Sequence, residues 1–241
     1  MSAPVEAPAL LVFAKPPVAG HVKTRLAAAI GAEAAARVYR DLLATTLGHA
    51  HAAWRSRIVD HIELWSAGDG NDPFLRGIGT AFGAKLHVQA EGDLGARMAH
   101  AIDDAFTRAS SVLLIGSDCP LLEPARLAEA AGALCTYEAV LVPAEDGGYV
   151  LLGARRALPL QGIRWSSPHT LADTTAAFER HGIRLATLPP SWDVDDAAGL
   201  ARFDALRNAT APGQPRPDDQ GTVTPTVSSM PLAPRNTTSL Q

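Results

Sequence analysis

The chain has 241 residues, 47% hydrophobic and 19% charged, with a formal net charge of −4. That composition suits one globular domain with a sizeable core and gives no general attraction to nucleic acid or an anionic membrane. Cys119 and Cys135 have neither knuckle nor disulfide spacing, no apolar run approaches the ~20 residues of a membrane span, and residues 1–8 lack a signal peptide's charged start and apolar core, so a cytoplasmic protein is expected.

Leu10 to Ala14 read as a buried strand. A loop with Pro16, Pro17 and Gly20 follows, and Lys23, Thr24 and Arg25 open a helical pattern. In an open α/β sheet such a loop lies at the carboxyl end of its strand, where ligands bind. Lys15, Lys23 and Arg25, with the unpaired N–H groups of a helix start, make an anion site there, phosphate above all; a solvated basic loop is the bland alternative. The loop is neither a G-x-G-x-x-G nor a Walker A sequence.

Val38, Leu42, Leu43 and Leu47 predict a long helix over residues 31–54. Residues 58–65 predict a second strand and 85–89 a third, with a turn and a short helix between them. Gly92-Asp93-Leu94-Gly95 then leads into a helix over 96–108, and its glycines admit a flat ligand close to the backbone. For Gln89 and Arg97, ligand contact and a solvated loop fit equally.

Val112 to Ile115 is a buried strand that ends at Gly116-Ser117-Asp118-Cys119-Pro120. A carboxylate just past a central strand suits a hard cation, and Mg²⁺ commonly uses one or two carboxylates together with substrate phosphates. Capping of the helix near Pro124 is the alternative role for Asp118, weakened by the separation. Ala139 to Pro143 predicts a strand, Glu145 to Tyr149 a turn, and Val150 to Leu152 a return strand. The turn reads as a plain hairpin or, with Asp118 nearby, as a ligand contact. Ser167 and Pro168 predict a helix start, and Trp165 fits a pocket wall or the core. Leu185 to Leu188 is the last strand, and a helix over 197–207 follows Asp193-Val194-Asp195-Asp196, where Asp195 or Asp196 can cap it. Residues 208–241, rich in Pro and Thr, predict a disordered tail.

Taken together, FAKPPVAGHVKTRL, Gln89 with GDLGAR, LLIGSDCPLL, PAEDGGYVLLG, IRWSSP and DVDD resemble the bacterial DUF2064 proteins, commonly labelled glycosyltransferases of GT-A fold. The pattern is also similar to 2-phospho-lactate guanylyltransferase and, more distantly, to other nucleotidyltransferases. The resemblance runs from about Leu10 to Arg207. It implies a three-layer α/β/α domain with a mostly parallel central sheet over residues 9–207, flanked by an extension (1–8) and the tail (208–241). It also implies a nucleotide site of Ala14, Lys15, Gly20, Lys23, Arg25, Gln89, Gly92, Asp93, Gly95 and Arg97. Lys23, Arg25 and Asp118 would be catalytic, and Asp118, Asp195 and Asp193 would hold Mg²⁺ or Mn²⁺. Asp146, Gly147, Gly148 and Trp165 would face the acceptor. Two departures stand out: the glycine-rich GxGTR loop of sugar-nucleotide pyrophosphorylases is absent, and a single Asp118 replaces the D-x-D of glycosyltransferases.

The expected partners are a nucleotide or nucleotide-sugar donor and a small acceptor. Glycosyl transfer from an NDP-sugar comes first, on the family label. Transfer of an NMP group from an NTP to a phosphorylated molecule comes second, because three cations in one loop suit a triphosphate. A nucleotide-binding protein without catalysis is the third reading.

Overall fold

A computed structural model describes residues 6–68 and 70–210. The predicted tail therefore falls, from residue 211 on, outside the described residues. The elements are β1 (Ala9–Ala14), α1 (Thr24–Ile30), α2 (Ala32–Arg55), β2 (Ile62–Ser66), α3 (Pro73–Ala81), β3 (Ala84–Val88), α4 (Leu94–Ala105), β4 (Val112–Ile115), α5 (Pro124–Ala133), β5 (Ala139–Pro143), β6 (Tyr149–Ala154), α6 (Thr170–Arg180), β7 (Leu185–Thr187) and α7 (Ala197–Thr210).

The seven strands form one sheet in the order β3-β2-β1-β4-β6-β5-β7. All pairings are parallel except those of β6 with β4 and β5. The expected mostly parallel sheet between helical layers is the observed fold. The apolar runs follow from it, since a strand covered on both faces needs apolar residues at every position. Along β1, Leu10, Val12 and Ala14 pack with residues of α2, α3 and α5 on one face. Ala9 and Leu11 pack with Met98, Ala101 and Phe178 on the other. The connection from β1 to β2 carries α1 and α2, so the β1 loop emerges at the carboxyl edge of the sheet, beside the end of β4.

Three local expectations differ. Residues 58–61 close the preceding helix instead of starting β2: Ile58 N–H donates to the Ala53 carbonyl, and Arg57 sits at φ 59°. Ser167 does not cap α6. Its hydroxyl donates to the Arg164 carbonyl, and the helix begins three residues later. Helix α7 continues to Thr210, past the expected boundary at 207.

One buried charge cluster ties the helix–sheet packing. The carboxylate of Glu63, on β2 and 1% exposed, accepts from Arg108 at 2.8 Å, Trp65 Nε1 at 2.9 Å and pairs with His61 at 3.1 Å. Burial pushes this carboxyl up, but the hydrogen bonds from His61 and Arg108 outweigh it and hold the group down at about 2, against an ordinary 4.5. A depressed carboxyl stabilises the fold above its unfolded-chain value, and that contribution disappears as the pH falls from about 4.5 toward about 2. It amounts to roughly 3 kcal/mol. In urea unfolding, Glu63→Gln should therefore lower stability at pH 7 by about that amount and flatten its decline between pH 5 and 3. A variant with unchanged stability and an unchanged acid limb would show that this cluster contributes nothing net.

Candidate active site

The loop after β1 folds back over the carboxyl ends of β1 and β4. Val22 anchors it, buried against Ala36 and Tyr39 of α2. Lys23 then takes a left-handed conformation, φ 48° and ψ 47°, which a residue with a Cβ adopts at a cost of about 1–2 kcal/mol. The turn directs its side chain inward. Its ammonium, with the side chain 5% exposed, lies 2.8 Å from Asp118 Oδ2 and 2.7 Å from Asp195 Oδ1. Burial would lower the lysine's pKa, but the two carboxylates overcome this and raise it well above the ordinary value. Asp118 is thus an ion-pair partner and not a helix cap; α5 begins from Glu123.

The late aspartates reach Asp118 through backbone contacts. Val194 N–H donates to the Asp118 carbonyl, and Ser191 N–H donates to the Pro143 carbonyl. Trp192 and Val194 are buried with Leu42 and Phe203, which fastens this segment between α2 and α7. Asp196 caps α7 through Gly199 N–H, 2.9 Å away. Asp118, Asp193 and Asp195 then each offer an oxygen within 4.8 Å of the others. Burial, followed by the charges of Asp118 and Asp195, pushes the Asp193 carboxyl up to about 6. Clustered oxygen donors with excess negative charge fit a hard divalent cation.

A cavity of about 370 Å³ opens over these groups. Of the residues expected at the nucleotide, it brings together Ala14, Lys15, Lys23, Arg25, Gln89 and Arg97, along with Asp118 and Asp195. Gly20, Gly92, Asp93 and Gly95 do not line it. Asp93 instead caps α4 through Ala96 N–H. Gly95 permits close packing: a Cβ there would stand 2.6 Å from Trp165 Nε1 and 2.5 Å from the Leu160 carbonyl. The Gln89 amide donates to the Trp65 carbonyl at 2.8 Å and accepts from Arg97 at 3.3 Å, so it braces the cavity floor. Arg25, two-thirds exposed, faces Asp195 and Asp196 at 3.8 and 3.7 Å.

Sequence reading missed Tyr39. Its buried hydroxyl accepts Lys15 N–H at 2.8 Å and shares a hydrogen bond with Ser117 Oγ at 2.9 Å, joining the two loops that carry the charged groups. An inward-facing tyrosine on a helix stripe gives no signal of this in one sequence. Cys119 is a packing residue: burial pushes its thiol up to about 11, and its sulfur lies against Ser191 Oγ.

Of the residues expected at the acceptor, Asp146, Gly148 and Trp165 line a second cavity of about 210 Å³. Gly147 supports it from behind, at φ 89°, where a Cβ would collide with the Pro168 carbonyl. The Glu145–Tyr149 turn is therefore both a hairpin and a cavity edge, closed by Ala144 N–H to the Gly148 carbonyl.

The Lys23 ammonium and a divalent cation would share the same carboxylates. Replacing Lys23 with Met removes the competing charge, and Mn²⁺ binding without nucleotide, followed by EPR titration, should tighten about tenfold or more. An unchanged affinity would show that ammonium and metal do not share these oxygens.

Residues 49–167 match the family described as "Uncharacterized protein conserved in bacteria (DUF2064)". No curated protein matches the chain in sequence. A solved structure from Desulfovibrio desulfuricans G20, provisionally named a nucleotide-diphospho-sugar transferase, is 29% identical, with a TM-score of 0.69 over 85% of this chain and 98% of that one. CMP:2-keto-3-deoxy-manno-octonic acid synthetase, solved with CTP, shares the fold at 14% identity and a TM-score of 0.52, over 85% of this chain and 100% of that one. A manganese complex from Mycobacterium tuberculosis H37Rv does so at 21% identity and a TM-score of 0.50, over 83% and 98%. Residues 49–167 thus carry the DUF2064 match, and the fold is that of the nucleotide-diphospho-sugar transferase type.

Proposed function

We propose that the protein is a transferase that uses a nucleotide-activated donor, and that it moves a glycosyl group from an NDP-sugar to the hydroxyl of a small acceptor. The observation that carries this reading is the pairing of the two cavities. One gathers Lys15, Lys23, Arg25, Asp118 and Asp195. The other adjoins it, and none of the described residues lining it is Lys, Arg or His. A phosphorylated acceptor, as nucleotidyl transfer to such a molecule requires, would enter the second cavity facing Asp146 with no cation to meet it. A hydroxyl acceptor brings no such charge.

In this reading Lys15, Lys23 and Arg25 face the donor's phosphates, and Tyr39 holds the loop that presents them. Asp118, Asp193 and Asp195 would hold Mg²⁺ or Mn²⁺, which when bound supplies positive charge to the diphosphate. The acceptor oxygen forms a bond to the anomeric carbon. The bond from that carbon to the diphosphate oxygen breaks, and its electron pair leaves on the NDP. Asp146, the carboxylate lining the second cavity, takes the hydroxyl proton. No covalent nucleophile on the protein is needed, and rate comes from positioning and charge.

Thermal-shift measurements on the full chain test the donor. With Mg²⁺ present, one NDP-sugar should raise the melting temperature more than any NTP at equal concentration, and stabilisation by an NTP alone would overturn glycosyl transfer. Lys23→Ala should slow release of NDP from that donor roughly a hundredfold. An unchanged rate would remove the loop from the mechanism.

A further inference from the structure

The second cavity, at about 210 Å³, is smaller than the ~300–1,000 Å³ of sites that hold drug-sized ligands. Phe13, Leu94, Gly116 and Ser166 line both cavities, so their occupants would meet across this wall. Beyond it the surface is apolar: Met98, Leu114, Val150 and Leu151, closed by the rings of Tyr149 and Trp165. Those rings stand edge to face, with centroids 6.4 Å apart and planes at 79°, a corner that suits a third ring. Trp165 is pressed on Gly95 and does not move aside without disturbing α4.

Several polar groups around this cavity are already engaged, while the Tyr149 hydroxyl and Trp165 Nε1 are buried without a hydrogen-bond partner. Thr170 and Ser167 hydroxyls both donate to the Arg164 carbonyl, at 2.8 and 2.7 Å. The Arg164 guanidinium is held on Asp173 at 2.7 and 2.8 Å. Arg97 donates to the Asp93 carbonyl and to Gln89. An anion entering here would lose hydration with no cation in return, and a polyol would set most of its hydroxyls against apolar surface.

We infer that this cavity takes an uncharged acceptor with a compact aromatic or apolar body, its hydroxyl directed to the shared wall. The inference rests on glycosyl transfer to a hydroxyl as the reaction.

The test uses quenching of tryptophan fluorescence in the full chain by 4-nitrobenzyl alcohol and by 4-nitrobenzyl phosphate. Inorganic pyrophosphate is added to compete for the cation-lined cavity, and Trp165→Phe isolates the signal from this wall. The alcohol should bind at least tenfold more tightly than the phosphate, and its quench should be largely lost in Trp165→Phe. A phosphate that binds as tightly as the alcohol with a Trp165-dependent quench, or an alcohol quench that survives Trp165→Phe, would overturn the inference. Should Trp165→Phe fail to fold, saturation-transfer NMR on the unaltered chain ranks the same two probes, and equal or reversed affinity overturns the inference there too. NDP-sugar stabilisation, measured separately on the same preparation, keeps the two readings apart. Its absence beside tight alcohol binding would count against glycosyl transfer, and its presence beside preferred phosphate binding would count against the acceptor class alone.

Discussion

The bridge from the Lys23 ammonium to Asp118 and Asp195 organises the cleft. It joins the loop after β1, the end of β4 and the segment before α7, three pieces of chain separated by 95 and 172 positions. Each carboxylate is partly open to water while the ammonium is not. A buried charge left without its partners costs several kcal/mol, so the lysine holds the aspartates where they are and they hold it. The left-handed turn at Lys23 is maintained by the same network, with Val22 and Leu26 buried on either side of it.

The bridge also changes how the cations of the loop should be counted. Read from the sequence, Lys15, Lys23 and Arg25 are three positive charges available to a triphosphate. In the folded chain Lys23 answers Asp118 and Asp195, and Arg25 faces Asp195 and one further carboxylate, Asp196, at longer range. Much of the positive charge is therefore balanced before any ligand arrives. The excess lies with the aspartates, as the raised carboxyl of Asp193 reflects. Under the proposed reading, such a cleft suits a donor that arrives with a divalent cation better than one recognised by basic side chains alone.

The sequence was most informative where local physics decides the outcome. Continuous apolar runs marked β1, β4 and β5 because those strands are covered on both faces. Asp118 and the basic loop were legible from their places after strands. The nearness of Asp193 and Asp195 to Asp118 was not, because it depends on Val194 N–H meeting the Asp118 carbonyl and on Trp192 docking against Leu42, contacts far apart in the chain. Ser167 misled for a related reason. Its hydroxyl had a competing carbonyl at Arg164, and the start of α6 moved to Thr170. Gln89 and Gly95 were placed at the nucleotide by resemblance. Here one braces strand ends and the other admits Trp165.

The same packing that fixes Trp165 links the walls of the two cavities. Gly95 belongs to α4, whose first residues also supply Leu94 to the shared wall and Arg97 to the first cavity. The hairpin tip that carries Asp146 rests on the turn before α6, with Leu171 N–H donating to the Gly147 carbonyl. Its neighbour Glu145 pairs with Arg202 of α7 at 2.8 Å, an exposed contact that adds orientation more than energy. The wall of the second cavity is thus built from α4, the β5–β6 hairpin and the turn before α6, whereas the carboxylates come from the end of β4 and the approach to α7. A side chain altered on the apolar wall can reshape the second cavity without touching the Lys23 bridge, so under the proposed reading donor and acceptor preferences are physically separable.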